Sequence, residues 1–507
     1  NGMAEDAEAE CAAYEQAIHA IGKSSIGLGI YEGPGISIKL SALHACYSRA
    51  QYDTVMNELY PRLRELTLLA HQYDIGINID AEEADRLEIS LDLLERLCHE
   101  PELAAWNGIG FVVQAYQKRA PYVIDYIIDL ARRTQRRIMV RLVKGAYWDT
   151  EIKRAQTDGL EGYPVYTRKV YTDVCYLACA RKLLEEPEYI FPQFATHNAH
   201  TVAAIYHMAG NNYYKGQYEF QCLHGMGEPL YEEVIGPITA GKLNRSCRIY
   251  APVGSHETLL AYLVRRLLEN GANSSFVNQI ADKRLSIDSL IADPVAQCHA
   301  IHPIGSPHPL IPAPRYLFIE QGENRLNSQG LDLSNEHRLA SLSAGLLTST
   351  AKPHIAVPST FKEGTDPAQW SSLTQARALD VLNPADHRDK VGQVIFSSQE
   401  DVNQALNLAE HAAPIWAVTP PIERANCLLK AADLLETKTP DFIALAIREA
   451  GKSYANAIAE LREAVDFLRY YARQVSERFE IDTHPPLGPI VCISPWNFPL
   501  AIFLGQV

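Results

Sequence analysis

The sequence predicts an α/β protein: a (β/α)₈ TIM-like barrel without a recognisable first strand, then a linker and the N-terminal part of a second α/β domain. Two observations favour the barrel. Between about residues 25 and 280, short apolar strands alternate with longer amphipathic helices, as they do in parallel βα units. A polar side chain also lies within or just after nearly every strand, and barrels build their sites from the carboxyl ends of many strands.

Seven strands can be recognised in this region, one fewer than a closed barrel of this kind requires. We expect the missing strand to lie before Asn1, or among the first residues in an unrecognised form. A doubly wound open sheet satisfies the same alternation, but it concentrates functional residues at one switch point. The predicted strands are Ile36–Ser41, Gly76–Asp80, Gly110–Gln114, Ile138–Val143, Phe191–Thr196, Glu219–His224 and Ser246–Tyr250, and their polar residues are Lys39, Asp80, Gln114, Arg141, His197, His224 and Tyr250.

The chain divides into three predicted segments: the barrel in residues 1–295, a linker in 296–368 and the second domain in 369–507. Prolines crowd the start of the linker, which predicts an extended segment, and one helix is expected at Asn335–Thr348. The second domain is predicted to contain the helices Gln399–Ala413, Pro421–Lys438, Pro440–Glu449 and Ser453–Glu477, followed by the strand Ile490–Ser494.

Composition restricts the function classes. The formal net charge is -15, so the surface as a whole repels nucleic acid and anionic lipid. Ten cysteines without a C-x-x-C pair favour a reducing, cytoplasmic compartment. The closest two, Cys175 and Cys179, are expected to be packed core thiols rather than metal ligands.

The segment Tyr262-x-x-Arg265-Arg266-x-x-Glu269 places four side chains on one face of a predicted helix. Two adjacent guanidinium groups can bind one carboxylate, and a tyrosine can cover an apolar ring beside it. A solvated helix face with an Arg–Glu pair is the alternative. The position directly after the last strand of the series favours a carboxylate clamp.

The segment from Arg141 to Trp148 ends a strand with Arg141 and Lys144, continues with Gly145 and Ala146, and closes with Tyr147 and Trp148. Cationic groups at a strand end beside a glycine suit a phosphate-bearing cofactor, and the aromatic side chains suit a flat ring. Basic strand ends also serve as ordinary salt-bridge partners, so this motif alone leaves both interpretations open.

Three further strand ends carry candidate residues. Thr196, His197 and Asn198 precede a helix, where His and Asn can donate to a pyrophosphate; a metal site is disfavoured because no carboxylates accompany the histidines. Lys39 can form a Schiff base if desolvated, or it can pair with Asp80, which is the commoner arrangement. Gln114 offers an amide to a heterocycle.

In the second domain, Asn497 lies on a predicted strand-to-helix turn, Pro495-Trp496-Asn497-Phe498-Pro499, where its amide can act as an oxyanion donor. No cysteine follows Asn497 in the sequence. We therefore expect this chain to lack the nucleophile that thioester chemistry requires.

Several of these strings together resemble the proline dehydrogenase domain of bifunctional proline utilization A. The resemblance covers residues 1 to about 295, and residues from about 335 onward resemble the start of that protein's glutamate semialdehyde dehydrogenase. The strings are Ser37-Ile-Lys39-Leu-Ser-Ala-Leu-His44, Asn78-Ile-Asp80-Ala-Glu-Glu83, Gln114-Ala-Tyr-Gln-Lys118, Arg141-Leu-Val-Lys-Gly-Ala-Tyr-Trp148, Ala195-Thr-His-Asn198, Cys222-Leu-His-Gly-Met-Gly227 and the Tyr262 to Glu269 motif.

The resemblance implies FAD-dependent oxidation of L-proline to 1-pyrroline-5-carboxylate. Arg265 and Arg266 would bind the proline carboxylate, and the rest of the pocket would be Lys39, Asp80, Tyr147, Leu223, Tyr250 and Tyr262. The residues implied to hold FAD are Gln114, Arg141, Val143, Lys144, Gly145, Ala146, Trp148, Thr196, His197 and Asn198, with Thr167 and Lys169 nearer the adenine end and Glu269 beside the flavin.

The resemblance also implies partners. Electrons would pass to a quinone, which gives a cytoplasmic protein with peripheral contact at the inner face of the cytoplasmic membrane. NAD would serve only the second enzyme, and no nucleic acid is expected to bind, because the DNA-binding domain of many members is not visible. Two alternatives remain: a Schiff-base lyase or aldolase barrel using Lys39, and a non-catalytic regulator fragment.

Overall fold

The computed structural model describes residues 2–254, 259, 260, 262, 264 and 284–507. These residues form two compact units. The first consists of Asn1–Lys153 with Tyr163–Leu310, and the second of Arg154–Gly162 with Ile311–Val507. The candidate barrel residues all belong to the first unit.

Seven parallel strands form one sheet in the first unit, and their order in the sheet is their order in the chain. Strands β2 and β3 are buried along their whole length, as strands covered on both faces should be. The seven predicted strands are confirmed, and their ends agree with the structure to within three residues. The strands are β1 Gly35–Ile38, β2 Gly76–Ile79, β3 Ile109–Gln114, β4 Ile138–Val143, β5 Ile190–Ala195, β6 Glu219–Leu223 and β7 Cys247–Tyr250.

Contacts between the first and last strands show that the sheet is curled. Arg248 in β7 donates to the carbonyl oxygen of Gly33, just before β1. The Tyr250 hydroxyl at the end of β7 lies 3.3 Å from the Asp80 carboxylate after β2. The fold class is therefore confirmed as an α/β fold with a curled parallel sheet, and no eighth strand pairs with it among the described residues.

Helices cover the outer face of this sheet. Ala120–Arg133 is typical: Ile124, Ile127 and Ala131 recur at helical spacing and are buried, and Pro121 lies in the first turn, where its missing N–H costs nothing. The α-helices of the first unit are Gly2–Ser25, Gly29–Glu32, Leu40–Leu43, Tyr52–Thr54, Tyr60–Gln72, Leu87–Cys98, Ala120–Arg133, Trp148–Thr157 (which continues into the second unit), Lys169–Leu184, Ala199–Ala209, Glu228–Ile235, Ile287–Leu290 and Pro294–His299, with a π-helical segment at Val55–Leu59.

The second unit is mainly helical. The helix predicted in the linker is confirmed at Glu336–Thr350, and the four long predicted helices are confirmed as well. The α-helices are Leu317–Glu320, Glu336–Thr350, Ser372–Arg377, Gln399–Val418, Pro421–Thr437, Thr439–Ala450, Tyr454–Arg478 and Ala501–Gln506, and the strands are β8 His354–Ala356, β9 Leu379–Asn383 and β10 Asp386–Val394.

The strand predicted at Ile490–Ser494 is wrong. These residues join no ladder in the described structure, and the unit's one sheet is β8-β10-β9. An apolar run forms a strand only where a neighbouring strand supplies its hydrogen-bond partners. No helix of the described residues is both long enough and apolar enough to cross a membrane.

Candidate active site

Three side chains meet at the carboxyl ends of the curled sheet. Arg141 Nη1 donates to Asp80 Oδ1 at 2.9 Å, and the Tyr250 hydroxyl donates to Asp80 Oδ2 at 3.3 Å. The Arg141 guanidinium also lies over the Tyr250 ring, 5.1 Å from its centre. The residues come from β4, β7 and the turn after β2, so the curl of the sheet brings them together.

Two more hydrogen bonds fix Arg141. Its Nη2 donates to Ser37 Oγ at 2.7 Å, and its Nε donates to Gln221 Oε1 at 2.7 Å. Each guanidinium nitrogen therefore has a protein acceptor, and Arg141 is only 8% exposed. Such a fully partnered, buried cation has a defined orientation.

Opposing effects act on the pKa of Asp80 in this cluster. Burial raises the pKa of Asp80, while the charges of Arg141 and Lys39 and the Tyr250 hydrogen bond lower it. Burial and the neighbouring Asp80 charge raise the pKa of Tyr250. The Tyr250 hydroxyl is therefore a hydrogen-bond donor at any physiological pH.

The sequence analysis expects an ion pair between Asp80 and Lys39 as the commoner arrangement. In the structure, Asp80 pairs with Arg141 instead. Lys39 contributes a second positive charge near the carboxylate, and its backbone N–H donates to the Tyr14 hydroxyl at 3.1 Å. The planar guanidinium reaches Asp80 and Ser37 simultaneously, which a single ammonium could not do with the same geometry.

A second group of cations lies beyond β4. Lys144 forms an ion pair with Asp173, and Lys169 is close enough for both of them to affect it. Burial and the charge of Lys144 lower the pKa of Lys169, whereas Asp173 raises it. Lys144, Asp173 and Lys169 therefore lie close enough together to affect one another electrostatically.

The turn between Lys144 and the aromatic residues Tyr147 and Trp148 requires glycine. Gly145 has φ +128°, and a Cβ at this position would overlap the Tyr116 ring. Ala146 is exposed and Tyr147 is half-buried, while the Trp148 indole N–H donates to the Tyr166 carbonyl oxygen at 2.7 Å. The chain here comes close to its own aromatic ring, with no room for a side chain at Gly145.

The motif after β5 is held internally. Asn198 Oδ1 accepts from the Thr201 N–H and caps the helix Ala199–Ala209, and the Asn198 N–H donates to Thr196 Oγ1 at 3.1 Å. His197 Nε2 accepts from the Leu223 N–H at 3.1 Å. In the neutral imidazole the proton is therefore on Nδ1, which makes that nitrogen the ring's donor.

The remaining predicted cofactor residues lie at the same edge of the sheet. Gln114 accepts from Gln117 at 2.7 Å and donates to the Glu82 carbonyl oxygen at 3.3 Å, and it borders a pocket that Asp80 also lines. The Val143 carbonyl oxygen accepts from the Ala115 N–H at 2.8 Å. Thr167 Oγ1 accepts from the His308 N–H at 2.9 Å.

The predicted carboxylate clamp is described in part. Tyr262 is half-buried and close enough to Tyr250 to raise its pKa. Arg265, Arg266 and Glu269 lie outside the described residues.

Sequence reasoning missed four residues of the site: Ser37, Gln221, Asp173 and Tyr14. The alternation of strand side chains could have found two of them, since Ser37 and Lys39 share one face, as do Gln221 and Leu223. Asp173 lies four residues after the predicted Lys169 on one helix, a spacing that makes their side chains neighbours, whereas no local pattern identifies Tyr14.

A curled parallel sheet with charged groups converging at its carboxyl edge defines an α/β-barrel protein with its site at the top of the barrel. The family model for proline dehydrogenase matches residues 2–279, and that for the aldehyde dehydrogenase family matches residues 370–507. The chain belongs to the proline dehydrogenase family and continues into the start of an aldehyde dehydrogenase domain.

Known proteins agree with this assignment. The chain is 66% identical to the bifunctional protein PutA of Klebsiella aerogenes over 508 residues, which cover 99% of this chain and 38% of that protein. It is 66% identical to the PutA of Escherichia coli, with the same coverage. The chain thus spans about 38% of the length of these relatives.

Solved structures show the same fold. A crystal structure of a Bradyrhizobium japonicum proline utilization A (PutA) mutant matches with a TM-score of 0.83 and 43% identity, covering 100% of this chain and 48% of that one. The PutA of Bdellovibrio bacteriovorus inactivated by N-propargylglycine matches with a TM-score of 0.81 and 28% identity, covering 100% of this chain and 52% of that one.

Proposed function

We propose that this chain oxidises L-proline to 1-pyrroline-5-carboxylate, with FAD as the cofactor. The observation that carries the proposal is the Arg141–Asp80–Tyr250 cluster at the carboxyl edge of a proline dehydrogenase family barrel. Enzymes of this architecture have their chemistry at that edge. When bound, FAD supplies the acceptor for the hydride that leaves C5 of proline.

The residues of the structure fit a phosphate-bearing cofactor. Lys144 forms an ion pair with Asp173, and Lys169 lies close enough for its pKa to respond to both, so basic side chains cluster where the phosphates would lie. Gly145 is required at the turn beside these groups, because a Cβ there would overlap the Tyr116 ring. The His197 ring is fixed with its Nδ1 as the donor, beside the N-terminus of the helix Ala199–Ala209.

The cofactor residues are those that the resemblance names, and each has a distinct task. Arg141 brings a buried positive charge to the ring system, and Lys144, Lys169, His197 and Asn198 bring donors and charge to the phosphates. Gln114, Val143, Gly145, Ala146, Trp148, Thr167 and Thr196 shape the cleft, and Glu269 orients the arginine pair.

The substrate pocket follows from the same cluster. Arg265 and Arg266 bind the proline carboxylate, while Tyr250 and Tyr262 flank the ring and Leu223 and Tyr147 close its walls. Lys39 and Asp80 hold the inner end of the pocket, and Asp80 keeps Arg141 and Tyr250 in place. Fixed dipoles and charges of this kind position C5 and exclude water.

A Schiff-base lyase using Lys39 is less well supported. Such a lysine must be desolvated and neutral, whereas Lys39 lies close enough to the Asp80 carboxyl for its charge to lower the pKa of Asp80. A non-catalytic regulator fragment leaves the buried Arg141–Asp80–Tyr250 cluster without a role. Neither alternative accounts for the cluster of Lys144, Asp173 and Lys169.

The further partners belong to the whole protein. Electrons would pass to a quinone at the inner face of the cytoplasmic membrane, which implies a cytoplasmic protein with peripheral membrane contact. NAD-dependent oxidation of glutamate semialdehyde would belong to the domain whose start is residues 370–507. Reduction of a quinone analogue by proline in the presence of vesicles tests the first of these proposals.

Two variants test the enzyme assignment by separating cofactor from substrate. Arg141→Met should leave the protein with little bound flavin. Arg265→Met should keep its flavin and raise KM for L-proline roughly tenfold to a hundredfold, as expected for one lost hydrogen bond to a charged group. If the unaltered protein forms no 1-pyrroline-5-carboxylate from L-proline with a dye acceptor, the proposal is wrong.

A further inference from the structure

A layer of polar side chains lies inside the sheet beneath the Arg141–Asp80–Tyr250 cluster. Asn78, Gln193, Glu219 and Gln221 are each at most 5% exposed. Barrel interiors are usually filled by branched apolar side chains, and a buried polar group is costly unless it is hydrogen-bonded. This layer is therefore an exception that calls for a specific role.

Glu219 is the centre of the layer. Arg248 donates to it from Nε at 2.8 Å and from Nη2 at 3.1 Å. Two amides donate as well, Gln193 at 3.0 Å and Gln221 at 2.8 Å. The Glu219 oxygens are the acceptors in all four of these bonds, so both amides turn their NH₂ groups towards Glu219.

This requirement fixes the direction of Gln221. Its neighbour on one side, Glu219, only accepts, and its neighbour on the other side, Arg141, only donates. The amide can satisfy both in a single orientation, with Nε2 on Glu219 and Oε1 on Arg141 Nε at 2.7 Å. Gln193, by contrast, bonds Glu219 but receives its other bond from Asn78, at 3.0 Å.

We propose that Gln221 is a positioning residue for proline oxidation: held by Glu219 and Arg248, it fixes the plane of the Arg141 guanidinium at the cofactor. The inference rests on the proposed function. The bond at Nε sets the rotation of the planar guanidinium, and this rotation decides where Nη1 and Nη2 point. Asp80 and Ser37 hold those two nitrogens only if the plane is correct.

Loss of Gln221 should change the flavin midpoint potential and kcat more than it changes the binding of flavin or of proline. The Asp80 ion pair and the neighbouring lysines remain, so the flavin should still be held. The misdirected guanidinium stabilises the negative charge of the reduced flavin less well, so the flavin midpoint potential should fall. For the same reason, kcat should fall by about tenfold, the effect of one weakened charge-assisted hydrogen bond, with a smaller change in KM.

The test compares Gln221→Leu with Gln193→Leu in the purified, flavin-loaded protein. Both variants remove one buried amide from Glu219, but only the first removes a bond to Arg141. We expect a lowered flavin midpoint potential and lowered kcat in Gln221→Leu alone. Gln221→Asn, which keeps a polar side chain but is too short to reach both neighbours, should shift both quantities in the same direction and serves if the leucine variant does not fold.

Equal potentials and equal kcat values in the two leucine variants would overturn the inference and leave the proposed function intact. Failure of the unaltered protein to bind flavin or to oxidise proline would instead overturn the proposed function, and this inference with it.

Discussion

Arg141 Nη1 lies 2.9 Å from Asp80 Oδ1, although Arg141 belongs to β4 and Asp80 follows β2. Strand β3 lies between β2 and β4 in the sheet. The two side chains meet across β3 because both point into the interior of the curled sheet. This ion pair joins the proposed cofactor residues to the proposed substrate residues.

Tyr250→Phe should weaken proline binding without loss of flavin. The variant keeps the aromatic ring beneath Arg141 but removes the hydroxyl that donates to Asp80 at 3.3 Å. One lost hydrogen bond of about 1 kcal/mol predicts a KM roughly fivefold higher. Tyr122→Phe, at a side chain that is 75% exposed, is the control and should behave like the unaltered protein.

The effect of Tyr250→Phe on KM should not change as the pH becomes alkaline. Burial and Asp80 raise the pKa of Tyr250, so the protonated hydroxyl persists above its ordinary titration range. The ratio of KM values between the variant and the unaltered protein should therefore stay constant from about pH 7 to about pH 9. A ratio that falls towards one over this range would show that Tyr250 ionises, against this account.

Lys144→Gln should weaken the binding of FAD more than the binding of riboflavin, because riboflavin has no phosphate. The charge of Lys144 is shared between Asp173 and the proposed pyrophosphate position, so its loss should raise the Kd for FAD about tenfold. Asp173→Asn should act in the opposite direction, because it removes the competing carboxylate. Lys182→Gln, at a surface ion pair with Asp125, is the control, and isothermal titration of the apoprotein gives the Kd values.

An equal loss of affinity for FAD and riboflavin in Lys144→Gln would place this lysine away from the phosphates. Tighter binding in Lys182→Gln or weaker binding in Asp173→Asn would contradict the charge argument itself.

Glu436 should stabilise the second unit in a pH-dependent way. Burial raises its pKa, but hydrogen bonds from Arg469, Arg315 and the Gln329 N–H outweigh burial and lower the pKa from 4.5 to about 2. A carboxyl whose folded-state pKa is depressed stabilises the fold above its unfolded pKa, and this stability is lost as the pH falls from about 4.5 to about 2. The difference corresponds to about 3 kcal/mol at neutral pH.

Glu436→Gln should therefore lower the midpoint of chemical unfolding at about pH 7, and it should flatten the loss of stability between about pH 5 and about pH 2. Asp386→Asn at an exposed pair with Arg388 is the control and should change the midpoint little. A pH profile for Glu436→Gln that parallels that of the unaltered protein would show that another group accounts for acid unfolding.

The sequence predicts strands such as β3 and β4 well because most of their residues are apolar. Strands β3 and β4 are nearly continuous hydrophobic runs, buried between the sheet's interior and its helices. The hairpin of β9 and β10 was not predicted, since the segment Asp386–Val394 is mostly charged and polar. The apolar Ile490–Ser494 was predicted to be a strand, but its pattern carries no information about whether a partner strand is present.

The site was predicted at the level of residue types and only in part at the level of contacts. The sequence indicates Arg141, Asp80 and Tyr250 because each is a polar residue within or just after a predicted strand. Their mutual hydrogen bonds depend on the curvature of the sheet, which no local pattern encodes. The same limit explains why Asp80 was assigned to Lys39, its neighbour on the adjacent strand, rather than to Arg141.

Anaerobic titration with L-proline, followed by visible absorption, decides whether this chain is a flavin-dependent proline dehydrogenase. We expect a flavin band in the purified protein, which L-proline bleaches while 1-pyrroline-5-carboxylate appears in equal amount, and which D-proline leaves unchanged. If the protein has no flavin band after incubation with FAD, or if L-proline does not bleach the band, the proposed function is wrong.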